Sequence, residues 1–155
     1  MRRLVIKNGT IIDVENGAAC VGSIEVEGSQ IVNIINENEE LPEGIETVDV
    51  KGKYIIPGLI DMHCHINEGF APHFVASGVT TVRNTAGNVK LLNRLIQRPD
   101  DAPTPRVYAS DRMIDGTPGQ WGPSSFGNFV TDDPEEARKE VRRQVDVGAK
   151  FVKLY

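Results

Sequence analysis

The chain has 155 residues, with 17 Lys and Arg against 22 Asp and Glu, a formal net charge of −5. That length suits one domain, or a domain with a small appendage, around a buried core. It is too short for a closed barrel of eight parallel strands and eight helices, which takes about 250 residues.

The acidic balance speaks against a nucleic-acid partner, because a phosphate backbone needs a positive field. Arg138, Lys139, Arg142 and Arg143 are interleaved with Glu135, Glu136, Glu140 and Asp146, the pattern of a solvated helix face. No apolar run approaches the roughly 20 residues of a membrane-spanning helix, so no membrane role is expected. Met1 to Gly9 contains only Leu4-Val5-Ile6 as an apolar stretch, too short for a secretory signal. Cys20 and Cys64 do not make a disulfide framework, and a reduced, cytoplasmic protein is expected.

Residues 1–57 read as β-structure. Leu4-Val5-Ile6, the turn Asn8-Gly9 and Thr10-Ile11-Ile12 predict a hairpin. Ser23 to Glu27 alternates with period two, turns at Gly28-Ser29 and resumes from Gln30 to Ile34. Thr47 to Val50, the turn Lys51-Gly52-Lys53 and Tyr54-Ile55-Ile56 predict another hairpin. Such alternation implies an antiparallel sheet with one wet face.

At Pro57-Gly58 the pattern changes. Strands are predicted at Leu59 to His63, Val79 to Val82, Arg106 to Ala109 and Phe151 to Tyr155. Helices are predicted at Phe70 to Ser77, at Val89 to Ile96, and after Asp133-Pro134-Glu135-Glu136, an acidic N-cap with Pro at the first helical position. Ala137, Val141 and Val145 would line the buried face of the last helix, and residues 110–131 read as a Gly/Pro/Ser-rich loop. Strands alternating with helices imply an α/β fold with parallel strands and right-handed crossovers.

The chemistry centres on His63-Cys64-His65. Side chains two apart on a strand share a face, so two imidazoles stand together at the C-terminal end of the first parallel strand. Imidazole suits Zn²⁺, and α/β active sites gather at that end. The spacing alone also fits two histidines with ordinary hydrogen bonds. Cys64 should face the covering helices as a small buried hydrophobe.

The β-rich start running into Tyr54-Ile55-Ile56-Pro57-Gly58-Leu59-Ile60-Asp61-Met62-His63-Cys64-His65 resembles the amidohydrolase superfamily. Gly78 to Asn84, Pro105 to Ala109 and Gly148 to Tyr155 are similar to the second, third and fourth strands of its imidazolonepropionase-like and Xaa-Pro-dipeptidase-like branch. The resemblance covers essentially the whole chain. It implies a small antiparallel β-sandwich subdomain over 1–57, followed over 58–155 by the first half of a (β/α)₈ TIM-like barrel, about four βα units, truncated after its fourth strand.

The implied activity is hydrolysis of amide or other C–N bonds by a metal-activated water. The implied cofactor is one or two divalent ions, Zn above all, held by His63 and His65, with Lys153 as a carboxylated ligand. The chemistry of that lysine is explicit. An ammonium has no lone pair to give a metal. Between two cations the neutral amine is favoured, and it can add CO₂ to form an anionic, bridging carbamate.

Asp61, on the same face as His63, would orient it or would serve a purely structural hydrogen-bonding role. Asn84 stands where the family usually has Asp, one negative charge fewer. Arg112, Gln120 and Trp121 would line a substrate pocket, or Trp121 would simply pack its own loop. No catalytic residue is expected within the chain, because the general acid/base Asp and two further histidines of the pattern would lie beyond residue 155. The chain alone is therefore expected to be inactive.

Two other readings stay open. One is a mononuclear-metal deaminase of the same superfamily. The other is a non-catalytic half-barrel that needs a partner. The partners expected are a small amide or peptide-like substrate, and either the C-terminal half of the barrel or a second copy along open sheet edges.

Overall fold

Strand β1 (Arg3–Asp13) organises the first of two structural units, Met1–Pro57, with the second spanning Gly58–Tyr155. The computed structural model describes residues 2–120 and 127–155. Around β1 stand β2 (Ala18–Glu27), β3 (Gln30–Asn36), β4 (Glu46–Asp49) and β5 (Tyr54–Ile55). The order is β3-β2-β1-β4, with β5 also against β1. β1–β2 and β2–β3 are antiparallel, whereas β4 and β5 run parallel to β1. The unit is thus one mixed sheet where an antiparallel sandwich was expected. Val5, Ile11, Ile24 and Ile35 are its buried apolar residues.

The hairpin expected at Gly28-Ser29 is present, between β2 and β3. The one expected at Asn8-Gly9 is not. β1 runs straight through that dipeptide, with a one-residue register shift between Ile6 and Gly9 and φ of 60° at Asn8. Asn-Gly tolerance of positive φ here serves a bulge instead of a reversal.

Lys51 (φ 53°) and Gly52 (φ 77°) likewise form no hairpin, since they join two strands parallel to β1. The detour faces the bulge. Gly52 N donates to Asn8 O at 2.7 Å, Val50 N to Lys7 O at 3.0 Å, and Thr10 N to Lys53 O at 3.0 Å. Each irregularity satisfies backbone groups that the other leaves open.

The second unit begins with the parallel sheet β6 (Leu59–Cys64), β7 (Val79–Asn84) and β8 (Arg106–Ala109), in that order. Helices α1 (Ala71–Ala76) and α2 (Asn93–Ile96) lie in the crossovers. Cys64, Val82, Val107 and Ala109 from the strands pack with Ala71, Val89, Leu92 and Leu95. Full burial of a Val or Leu side chain stabilises by roughly 1.5–3 kcal/mol, so this cluster holds the unit together. α2 is half the length expected. The Asn88 side chain accepts from Lys90 N at 2.9 Å, so turns occupy the start of the segment, and Leu91 stays 68% exposed.

Within the expected loop 110–131, β9 (Met113–Asp115) and β10 (Asn128–Val130) form a short parallel pair. α3 (Pro134–Asp146) starts as predicted, with the Asp133 carboxylate accepting from Glu135 N at 2.8 Å. Its face is not as predicted. Glu140 and Gln144 are buried, whereas Val145 is 61% exposed.

No regular fourth strand forms at 151–155. Lys150 N donates to Ala109 O at 2.8 Å, Ile114 N to Lys153 O at 2.9 Å, and Tyr155 N to Ile114 O at 3.0 Å, leaving one parallel bridge, Ile114 to Leu154. The partner edge is broken where Ser110, Asp111 and Arg112 leave β8, so the ladder has two footholds and nothing between. The sheet therefore has three parallel strands among the described residues, not four.

Candidate functional site

The end of β6 carries the histidine pair. The imidazole centroids of His63 and His65 lie 5.8 Å apart with planes at 78°, and both residues are exposed. A bulge positions them. Asp61 pairs with Val82 and Cys64 with Asn84, so Met62 and His63 together oppose the single residue Arg83. Bulges re-aim side chains near functional sites. This one breaks the alternation that would have put Asp61 and His63 on one face. The Asp61 carboxylate accepts from the backbone N–H of His63 at 3.0 Å, so it fixes the strand end and not the ring.

Cys64 points into the core cluster. Burial pushes its thiol up to about 11, the Asp61 charge adds to the rise, and a backbone hydrogen bond with Ile66 opposes it.

The tether of the C-terminal segment to Ile114 brings Lys153 to this end of the sheet. Lys153 borders two clefts. One, of about 280 Å³, is lined by Met62, His63, Arg83, Thr85 and Phe151. The other, of about 400 Å³, is lined by His65, Ala86, Gly87, Met113 and Tyr155. The three residues expected to bind metal therefore share one end of the unit. The donor chemistry fits a divalent ion in part: two imidazoles fill two positions of zinc's usual tetrahedron. Among the described residues no group of three His, Cys, Asp or Glu side chains completes such a set.

Asn84 braces the loop after the histidines. It is 2% exposed; its Oδ1 accepts from Ile66 N at 2.8 Å and its Nδ2 donates to Ala86 O at 2.9 Å. Its own carbonyl accepts from Ser110 N at 3.0 Å. An Asp could make the first bond but not donate the second, which gives the Asn a physical reason.

Of the three pocket residues expected, Trp121 lies outside the described residues. Gln120 is exposed, and its backbone N–H donates to Asp115 at 2.6 Å. Arg112 is committed elsewhere. It makes two 2.8 Å hydrogen bonds to Glu140 and lies over the Phe129 ring at 4.6 Å. Neither Gln120 nor Arg112 lines the two clefts that Lys153 borders.

Glu140 is held from two sides, because Arg143 also donates to it at 2.8 and 2.6 Å and to Asp111 as well. Burial raises the Glu140 carboxyl, but its bonds from Arg112, Arg143 and Gln144 outweigh that and hold it well below the usual carboxylate range. Asp111 in turn accepts from Val89 N at 2.9 Å, tying the start of the α2 segment to the turn after β8.

Sequence reasoning missed Arg83, Thr85, Asp111 and Glu140. For the first two the signal is present, since they alternate with buried Asn84 at the end of a β-branched strand. For Glu140 no periodicity could reveal it, because its partners come from residues 111 and 112.

Comparison with known proteins gives the following. No family model matches the chain. It is 39% identical over 70 residues, 45% of its length, to the dihydroorotase of Streptococcus pneumoniae serotype 4. It is 36% identical over 85 residues, 51% of its length, to the adenine deaminase of Listeria monocytogenes serotype 4b. Those stretches are 16% and 14% of the two relatives, so the chain spans a small part of their length. A prolidase solved with N-methylphosphonate-L-proline superposes on 98% of the chain with a TM-score of 0.79 at 22% identity, using 46% of the prolidase. At that identity the likeness speaks for the fold alone.

Proposed function

The chain belongs to the amidohydrolase superfamily, and from that premise we propose that it is the N-terminal part of a metal-dependent hydrolase of amide or other C–N bonds. The observation that carries the reading is the His63–His65 pair at the C-terminal end of β6, facing clefts that Lys153 borders on both sides. In this reading β6, β7 and β8 open a (β/α)₈ barrel. The outer edge of β6, with Leu59, Ile60 and Met62 exposed, receives the remainder of the barrel.

His63 and His65 would hold the ion, and Lys153 as its carbamate would add an oxygen donor. When bound, the ion supplies a Lewis acid for the scissile carbonyl and for the attacking water. The chain's own contribution is placement. The β6 bulge turns His63 out of the ladder, Asp61 fixes its backbone, and Asn84 holds the loop behind His65. Cleaving a C–N bond also requires a proton on the leaving nitrogen. We assign that carboxyl to the part of the relatives' length that this chain does not span, and the same part would complete the metal's ligands.

Similarity to an adenine deaminase favours a second reading, a one-metal deaminase that leaves Lys153 unmodified. Zinc analysis of the loaded chain and of its His63→Ala and His65→Ala variants tests the site. Each substitution should lower bound zinc at least tenfold, and retention by both variants would remove the metal reading. ¹³C NMR after ¹³CO₂ labelling separates the alternatives, since a carbamate resonance lost in Lys153→Ala favours the hydrolase.

A further inference from the structure

The dipeptide Asn-Gly occurs twice in the chain, at Asn8-Gly9 and at Asn16-Gly17. It is a labile sequence, because glycine has no side chain to shield its backbone nitrogen. That nitrogen can attack the asparagine Cγ. The new N–C bond closes a cyclic imide, the Cγ–Nδ2 bond breaks, and ammonia leaves with the proton of the glycine amide. Water then opens the imide at either carbonyl. One opening gives aspartate. The other gives isoaspartate, in which the backbone runs through the side-chain carbon. Nothing is oxidised or reduced, and water is the only co-reactant.

The carboxamides of the two asparagines are held alike. Asn8 Nδ2 donates to Asp49 Oδ2 at 3.0 Å, and Asn16 Nδ2 donates to Asp13 Oδ2 at 2.7 Å. What separates the two sites is the glycine. Gly9 is buried inside β1, paired with Gly22. A Cβ there would overlap the Ile55 side chain, so the space beside it is filled. The Asn8 carbonyl, in the peptide group that joins the two residues, accepts from Gly52 N at 2.7 Å. Ring closure rotates that peptide group, so at Asn8-Gly9 it must break the bulge and displace packed atoms.

The glycine of Asn16-Gly17 has none of these restraints. It lies in the hairpin turn between β1 and β2, past the last ladder pair, Asp13 with Ala18. Asn16 and Gly17 are exposed, and nothing lies within 4 Å of a Cβ built on Gly17. Asp13 Oδ1 holds the turn, accepting from Glu15 N and Asn16 N at 3.0 Å each. Among the described residues the Gly17 N–H takes no part in the hydrogen bonds of the turn. Its nitrogen is free to turn on the neighbouring carboxamide.

We propose that Asn16-Gly17 is a site of spontaneous covalent modification, at which Asn16 passes through the imide to isoaspartate, and that the fold protects Asn8-Gly9 from the same reaction. The modified turn gains a backbone carbon and a negative charge. The new carboxylate stands beside Asp13 in place of the amide that Asp13 binds, so repulsion replaces a hydrogen bond at the end of the ladder. The β1–β2 hairpin is thereby loosened at Asp13 and Ala18. The reaction involves no residue of the metal site.

The test follows the folded chain over time at mildly alkaline pH. Samples are digested and mapped by mass spectrometry, with electron-transfer fragmentation to tell isoaspartate from aspartate. Conversion at Asn16 should run at least tenfold faster than at Asn8, with isoaspartate the major product. In guanidinium chloride the two rates should come within threefold of each other, because only the neighbouring residues then act. An acidic species should accumulate on ion exchange of the native chain and be missing in Asn16→Gln.

Equal rates in the folded chain, or faster conversion at Asn8, overturn the proposal. A tenfold difference that persists in guanidinium chloride also overturns it, since sequence and not fold would then set the rates. So does an acidic species that accumulates unchanged in Asn16→Gln. The mapping needs no variant, so if Asn16→Gln fails to fold the two native rates still decide.

Discussion

Asn84, buried at the end of β7, accepts a hydrogen bond at 2.8 Å from the backbone N–H of Ile66, the residue that follows His65. The loop behind the histidine pair is thus anchored from the neighbouring strand. Asn84→Asp keeps this acceptor, loses the donor to Ala86 O and buries a charge. It should destabilise the chain by about 2 kcal/mol, with Asn84→Ala in the same range. Urea denaturation measures the loss, and hydrogen exchange at the Ile66 amide should accelerate in the Ala variant.

The Glu140 cluster predicts a pH dependence. Its arginine and Gln144 bonds hold the carboxyl below its ordinary range, so protonation favours the unfolded chain. The stabilisation is complete above about pH 4.3 and shrinks as pH falls below it. Glu140→Gln should cost about 2–3 kcal/mol at pH 7. That is at or below the value for fully buried pairs, because the side chains of Arg112 and Arg143 are 35% and 39% exposed. The gap between native and variant urea midpoints should narrow between pH 6 and pH 3.

The two cysteines should differ in reactivity. Cys20 is exposed, whereas Cys64 is buried with its thiol raised to about 11. A thiol reagent at pH 7.5 should titrate one group in the native chain and two in denaturant. Rapid native labelling of Cys64 would mean that the core behind the histidines opens.

Gly22 tests the first unit. A Cβ there would sit 2.5 Å from the backbone carbonyl oxygen of Ile35 on the next strand. Backbone in a ladder cannot yield as a side chain does, so Gly22→Ala should lose on the order of 2 kcal/mol. A thermal melt detects it, with Gly127→Ala as the control, since nothing crowds that position.

These contrasts show where local pattern carries information and where it fails. The β-branched run at Thr80–Val82 and the N-cap at Asp133 are settled by neighbours in sequence, and both form as read. Asn8-Gly9 announces positive φ, but only β2 and the detour at Lys51-Gly52 decide that it becomes a bulge.

The face of α3 is misread because apolar periodicity points to Val145, while Arg112 and Asp111, far off in sequence, draw the polar edge inward. The closeness of His63 and His65 was legible because the two lie two residues apart at the end of β6. The cleft that Arg83 and Lys153 share was not, since the two are brought together only by the tether of the last residues to Ile114.

Cys64 stands between the two histidines and faces the opposite way, into the core cluster that also holds Leu92 and Leu95. The backbone that spaces the imidazoles is therefore the same backbone that closes the interior. Close-packed interiors transmit displacement instead of absorbing it. A methyl group gained or lost at position 92 or 95 presses on the sheet from behind and alters the separation of rings it never touches. Drift in the covering segments is thus answerable to the solvent-facing side of the sheet, and residues that never meet solvent can tune the histidine pair.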